Sequence, residues 1–240
     1  MLTQTAASNE QSERLQLWRS GLWRLQAPHT AGLVLGITDR TADAQALAAT
    51  LRVNSALVQA EQVHGASIAV IDTPQAAEHP IPGCDALMTR VPGLALVMRT
   101  ADCVPLTVWD PVQRMVGIAH VGWRGADKRL PMRLVSAARQ FAHSRPRDVW
   151  VSVGPSIRAC CYEVGQEFVG RFGAFVRRVD GRRMFDLAGC LLEQLRAAGV
   201  EASHVQDTSV CTACDTARWY SVRKEGQTTG RLLSFALIRS

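Results

Sequence analysis

Apolar positions along the chain come in short runs with few polar interruptions. Gly32–Ile37, Leu57–Val63, Ser67–Ile71, Ala86–Thr89, Leu94–Arg99, Pro105–Trp109, Met115–His120, Val149–Val153 and Leu232–Ile238 are each bounded by glycine, proline or polar residues. Runs of this length with such borders predict strands. Helical character is confined to four segments. These are Asp43–Leu51, with Thr41 or Asp43 as its cap, Leu130–His143 with Pro131 near its start, Gly165–Val176, and Ala188–Ala198, which Gly199 stops. Asp110-Pro111 reads as a turn, 73–83 as a loop and 221–231 as a polar, hairpin-like segment.

Strands and helices interleave irregularly rather than in strict βαβ order. The pattern predicts an α+β fold, a single domain over residues 15–240 with mixed β-sheets layered with helices, and argues against Rossmann and TIM topologies. Residues 1–14 are polar and read as an extension. There is no glycine-rich dinucleotide fingerprint, no P-loop and no internal repeat.

Composition narrows the function classes. Apolar residues make up 47% and charged residues 20%, enough for a sizeable core. No apolar run approaches the roughly 20 residues of a membrane span, so no membrane partner is expected. Met1–Arg14 resembles no secretory leader, which places the chain in the cytoplasm. The net charge of +6 comes from scattered arginines, Lys128 and Lys224 being the only lysines. Without a basic block, nucleic acid is not the expected partner. Arginine does suit an anionic small molecule such as phosphate.

Seven cysteines are an odd count and read as reduced thiols. Cys211-Thr-Ala-Cys214 is a lone CxxC without a second pair, and Cys160-Cys161 are adjacent; both read as packing thiols. Three metal-type residues sit at strand ends or turns: His64, Cys103 and His120. Three N/S ligands with a free fourth position are the pattern of a catalytic zinc site. Their separations of 39 and 17 residues do not establish convergence, and isolated core or loop residues are the alternative. Asp85 and Asp102 are candidates for orienting a ligand or moving a proton, or else turn caps. Arg124 is a phosphate ligand or a salt-bridge partner, and Arg223 and Arg231 face an anion or solvent.

Seven motifs together resemble one family. They are QVHG at 62–65, CDALMT at 84–89, TADCVP at 100–105, AHVGWRG at 119–125, GPSIRACCYEVG at 154–165, FDL at 185–187 and CT…WYSVRKEGQTTGR at 211–231. The family is the laccase-domain (YfiH-type) family, also described as polyphenol oxidases or purine nucleoside phosphorylases. The resemblance implies a single α+β domain with zinc on His64, Cys103 and His120. It implies phosphorolysis of adenosine, inosine, guanosine and methylthioadenosine, and deamination of adenosine, with nucleoside and phosphate as partners. Asp102, Asp85 and Arg124 are then the expected catalytic groups, and Arg40, Arg124 and Arg231 the expected phosphate ligands. Copper-dependent phenol oxidation ranks lower, because six histidines are few for several copper centres. A peptidoglycan-editing or binding protein with little turnover is the non-enzyme alternative. The family's Thr-Arg-x-Gly-Gly and Asn-Leu stretches are reduced here to Gly36–Arg40. The loss predicts a loosely held Arg40 and turnover weighted toward deamination.

Overall fold

The computed structural model describes residues 15–25, 32–52, 57–73 and 79–239. The 1–14 extension lies outside them. In chain order the strands are β1 (Leu15–Arg19), β2 (Leu22–Leu25), β3 (Leu33–Thr38), β4 (Leu57–Gln59), β5 (Ile68–Ile71), β6 (Ala86–Thr89), β7 (Ala95–Thr100), β8 (Val104–Asp110), β9 (Met115–Val121), β10 (Trp150–Val153), β11 (Val176–Val179), β12 (Arg182–Phe185), β13 (Val205–Asp207) and β14 (Leu232–Ile238). The helices are α1 (Ala44–Leu51), α2 (Trp123–Asp127), α3 (Leu130–Ala142), α4 (Glu167–Phe172), α5 (Leu187–Ala197) and α6 (Val222–Glu225). No helix among the described residues is long and apolar enough to cross a membrane.

Two six-stranded mixed sheets form the body, ordered β1-β2-β3-β14-β7-β4 and β13-β10-β8-β9-β6-β5. Leu35, Ile37, Leu96 and Met98 of the first share one core with Leu87, Trp109, Val116 and Ile118 of the second. The intervening residues face outward under helices. Val34, Ala95, Val97 and Phe235 pack with Leu47 of α1. Leu106, Val108, Ala119 and Val121 pack with Leu134 and Ala138 of α3 and Leu191 and Leu195 of α5. The layers are therefore helix, sheet, sheet, helix. Central strands buried on both faces need apolar side chains at consecutive positions, which is why they read as uninterrupted runs.

Three elements differ from the sequence expectation. The strand expected over Leu57–Val63 ends at Gln59, and Gln62 and His64 both take positive φ, 66° and 57°. The helix expected over Gly165–Val176 stops at Phe172 and passes through a 3₁₀ turn into the β11–β12 hairpin. Asp180 and Gly181 turn that hairpin with φ of 48° and 77°, the paired left-handed conformation of a tight two-residue turn. The 221–231 segment begins with α6 instead of a strand, because Glu225 reaches back to accept the Ser221 N–H at 3.0 Å and closes a helical turn.

Asp39, 8% exposed, pins the end of β3. It accepts from the Trp23 indole at 3.0 Å, the Thr41 N–H at 2.8 Å and the Thr41 hydroxyl at 2.6 Å. Burial pushes its carboxyl up, but these donors and the Arg218 charge outweigh it and hold it below the usual carboxylate value. A depressed folded-state pKa gives stability that is present above the unfolded value of about 4 and lost as pH falls through the folded one. Asp39→Asn is expected to cost about 1–3 kcal/mol at pH 7. Urea midpoints of the variant and the parent should converge below about pH 4; a gap unchanged at acid pH would refute the assignment.

Candidate active site

Strand pairing assembles the site. Val104 at the start of β8 is registered with Val121 at the end of β9, which sets the turn carrying Cys103 beside His120 and Gly122. β6 pairs with β9 on its other side, and the His120 N–H donates to the Asp85 carbonyl at 2.8 Å. Asp85 is fully buried. Its Oδ1 and Oδ2 accept the backbone N–H groups of His64 and Gly65 at 2.9 and 2.6 Å, folding the left-handed 62–65 turn over the strand ends. Asp85 Oδ1 also lies 2.9 Å from His120 Nδ1. A carboxylate there fixes the ring so that Nε2 is left as the ligand atom.

The donor atoms of His64, Cys103 and His120 all lie within 4.8 Å of one another. The two imidazoles meet edge to face, 4.8 Å between centroids. Burial pushes the Cys103 thiol up, but hydrogen bonds and charge from His120 and His64 bring it down to about 7. Burial pushes His120 down, and Asp85 and Cys103 reverse that to about 9. The site thus favours a thiolate beside a protonated His120, and a divalent metal taking the place of that proton would meet one thiolate and two imidazole nitrogens, the donor set of a borderline-soft ion. The separations hidden in the sequence are closed by β-pairing.

Gly122 explains the glycine of the AHVGWRG segment. A Cβ there would sit 2.9 Å from Cys103 Sγ and 3.5 Å from His64 Cδ2. Gly122→Ala is expected to displace the thiol and weaken metal binding about 10–100-fold, the range for disturbing groups that orient a ligand. Metal titration of the folded variant checks this, and unchanged affinity would refute it.

These residues form one wall of a cavity of about 770 Å³, which Asp102, Trp123, Arg124, Tyr162, Arg99, Arg223 and Arg231 also line. Asp102 adopts φ 82°, a left-handed strain of the kind stored at functional turns. It is held there by the Thr212 hydroxyl on Oδ1 and the Arg223 N–H on Oδ2, both at 2.7 Å. Arg231 braces the carbonyls of Thr229 and Gly230. Arg223 donates to the Glu163 carbonyl at 2.8 Å. Arg124 lies over the Trp123 ring, 4.4 Å from its centroid.

Two of the expected roles change. Asp85 does not line the cavity, and its oxygens accept the His64 and Gly65 N–H groups and meet His120 Nδ1, the arrangement of a positioning group. Arg40 also lies outside the cavity. Its guanidinium pairs with Glu225 Oε1 at 2.6 Å and with the Thr216 carbonyl, and it stacks on Tyr220. Arg40 therefore ties the end of β3 to α6. The sequence reading missed Arg99. It is the one exposed residue of the otherwise buried strand β7, and a charge interrupting the apolar run Leu94–Met98 was the available signal. The Gln62 side-chain amide bonds the Arg99 N–H and carbonyl at 2.8 and 2.6 Å, extending β4 by one pseudo-residue. Among the described residues, the guanidinium groups of Arg99 and Arg124 have no carboxylate or carbonyl partner.

A further correction concerns four of the other six cysteines. Cys160, Cys161, Cys211 and Cys214 converge, with all four sulfurs within 4.8 Å of one another. The CxxC does have a second pair, because the chain segments at Ser156 and Cys211 run side by side.

A two-sheet α+β sandwich with a His/Cys/His group on the wall of an arginine-lined cavity defines a candidate enzyme site with a ligand set for a metal. The family model for the multi-copper polyphenol oxidoreductase laccases matches residues 38–239, and the chain belongs to that family. The chain is 35% identical over 190 residues to the purine nucleoside phosphorylase YlmD of Geobacillus stearothermophilus, covering 73% of this chain and 69% of that protein. It is 33% identical over 190 residues to adenosine deaminase RL5 from an unknown prokaryotic organism, covering 73% and 72%. The crystal structure of the Geobacillus YlmD superposes with a TM-score of 0.89 at 30% identity, covering 95% of this chain and 100% of that one. A Bacillus licheniformis hypothetical protein, YfiH, shares the fold with a TM-score of 0.87 at 23% identity.

Proposed function

We propose that the protein is a zinc-dependent enzyme of purine nucleosides, working in the cytoplasm. It cleaves adenosine, inosine, guanosine and methylthioadenosine with phosphate, and it deaminates adenosine. The observation that carries this reading is the His64/Cys103/His120 group facing a cavity also lined by Arg99, Arg124 and two aromatic rings, Trp123 and Tyr162. The names of the relatives support the nucleoside assignment. Three N/S donors with an open side suit zinc. Two histidines and one thiol at the group are too few for a multi-copper set, so copper-dependent phenol oxidation is the weaker reading. When bound, zinc supplies Lewis acidity and lowers the pKa of water to about 7.

The chain's own groups divide the remaining work. Arg99 and Arg124 hold phosphate through charge-assisted bonds, with Arg223 and Arg231 adding positive potential. Trp123 and Tyr162 offer flat surfaces to the purine. Two carboxylates line the cavity wall, Glu61, which accepts the Gly83 N–H, and Asp102; Asp102 takes the proton-transfer role, with Thr212 and Arg223 fixing its orientation. Asp85 holds His120 in its ligand tautomer.

Chromatography of products tests the proposal. Zinc-loaded protein given adenosine and phosphate is expected to yield adenine and ribose 1-phosphate, and without phosphate to yield inosine. Absence of both products, with inosine and guanosine also unchanged, would sink the reading.

A further inference from the structure

We propose that Cys160, Cys161, Cys211 and Cys214 form a second metal site, a closed tetrathiolate that takes zinc and clips together two loops walling the cavity. This site is separate from the His64/Cys103/His120 group and does not rest on the nucleoside reading.

The geometry suits a metal better than a disulfide. Cys214 Sγ lies 3.4 Å from Cys161 Sγ and 3.6 Å from Cys160 Sγ. Tetrahedral zinc with Zn–S bonds of about 2.3 Å separates its sulfurs by about 3.8 Å. A disulfide needs about 2.05 Å and joins only two sulfurs, whereas here four converge. All four are free thiols. Four thiolates leave no open position, which makes the site structural rather than catalytic.

The surroundings hold the two halves of the cluster together. The two loops are already in register: the Ser156 N–H donates to the Val210 carbonyl at 3.1 Å, and the Thr212 N–H to the Ser156 carbonyl at 3.1 Å. Arg158 fastens them again through the Val210 carbonyl and Asp207. The clip reaches the cavity through two residues. Thr212, between the two CxxC cysteines, is the hydroxyl that holds Asp102. Tyr162, the residue after Cys161, lines the cavity itself. Zinc at the four thiols therefore acts as a positioning element for Asp102 and Tyr162.

The test separates the two sites. In the His64→Ala/His120→Ala variant the cavity group has lost two of its three ligands. Cobalt(II) titrated into this variant is expected to bind at one ion per chain, with the intense visible absorption of a tetrahedral tetrathiolate. Adding Cys160→Ser and Cys214→Ser should abolish that absorption. A second measurement uses the unaltered chain, so that an unfolded variant leaves the question decidable. Alkylation mapped by mass spectrometry should find the four cysteines protected in zinc-loaded protein and modified after a chelator is added. No cobalt bound by the folded double variant, equal alkylation with and without zinc, or a disulfide within the four in zinc-supplemented protein would each overturn the proposal.

Discussion

Cys103→Ala is expected to bind no metal at the His64–His120 pair and to lose adenosine turnover by on the order of 10³-fold. The thiolate is the only anionic donor of the three, and it lies between two imidazoles that favour its ionised form. Without it, two neutral donors remain, each held in place by Asp85 but with too few bonds to retain a divalent ion. Loss of Lewis acidity removes several kcal/mol of transition-state stabilisation, and each 1.36 kcal/mol is tenfold in rate. Cys103 occupies a turn and belongs to none of the apolar clusters, so the fold should survive. Elemental analysis and kcat on a variant with parental circular dichroism decide the matter. Full metal at this site with parental kcat would show that the trio is not the working centre.

The next largest effect is expected from Arg99 and Arg124, which have no carboxylate partner among the described residues. Arg99→Ala and Arg124→Ala should each cut phosphorolysis by about 10²-fold, mainly by raising KM for phosphate. Deamination uses no phosphate and should fall far less. Arg40→Ala makes the informative contrast. Since Arg40 pairs with Glu225 and Thr216, its loss should loosen α6 and lower thermal stability while leaving KM for phosphate near the parental value. This reverses the expectation drawn from the shortened Gly36–Arg40 stretch: phosphate binding need not suffer from a loop that does not reach the cavity. If Arg40→Ala raises KM for phosphate as strongly as Arg99→Ala does, the cavity arginines are not the anion site.

The strands in the middle of both sheets were legible because burial on two faces leaves no room for polar positions. Ala86–Thr89 and Leu232–Ile238 have the bounds the apolar runs predict. The edge strands β1 and β13 were not, although β5 at the opposite edge of the second sheet was. β1 carries one buried and four less-buried residues, and β13 has no fully buried one, so neither presents a strong pattern. His64, Cys103 and His120 stood out by residue type at strand ends, but their grouping at one site came from motif resemblance, since their convergence depends on the β8–β9 and β6–β9 registers, which no local spacing records. The same limit hid the thiol cluster, whose halves meet only through the Ser156–Cys211 bridge. Arg40 was misplaced because its partner lies 185 residues away, and no spacing rule connects them. Arg99 was visible in principle as a lone charge ending an apolar strand.

The position of β14 bears on how the chain must be made. It lies between β3 and β7, pairing with both along most of its length. Until residues 232–238 leave the ribosome, β3 and β7 have no common neighbour, and each presents an open row of backbone donors and acceptors. The first sheet is thus keyed by its last-synthesised strand, and the contacts it makes span nearly 200 residues, from Thr38 to Leu233. Such long-range closure is slow and leaves adhesive edges exposed meanwhile. A ribosome stalled near codon 230 would hold a chain carrying every cavity residue of the first half, yet with a sheet split down its centre. The second sheet, complete by β13, is free to fold first and wait for it.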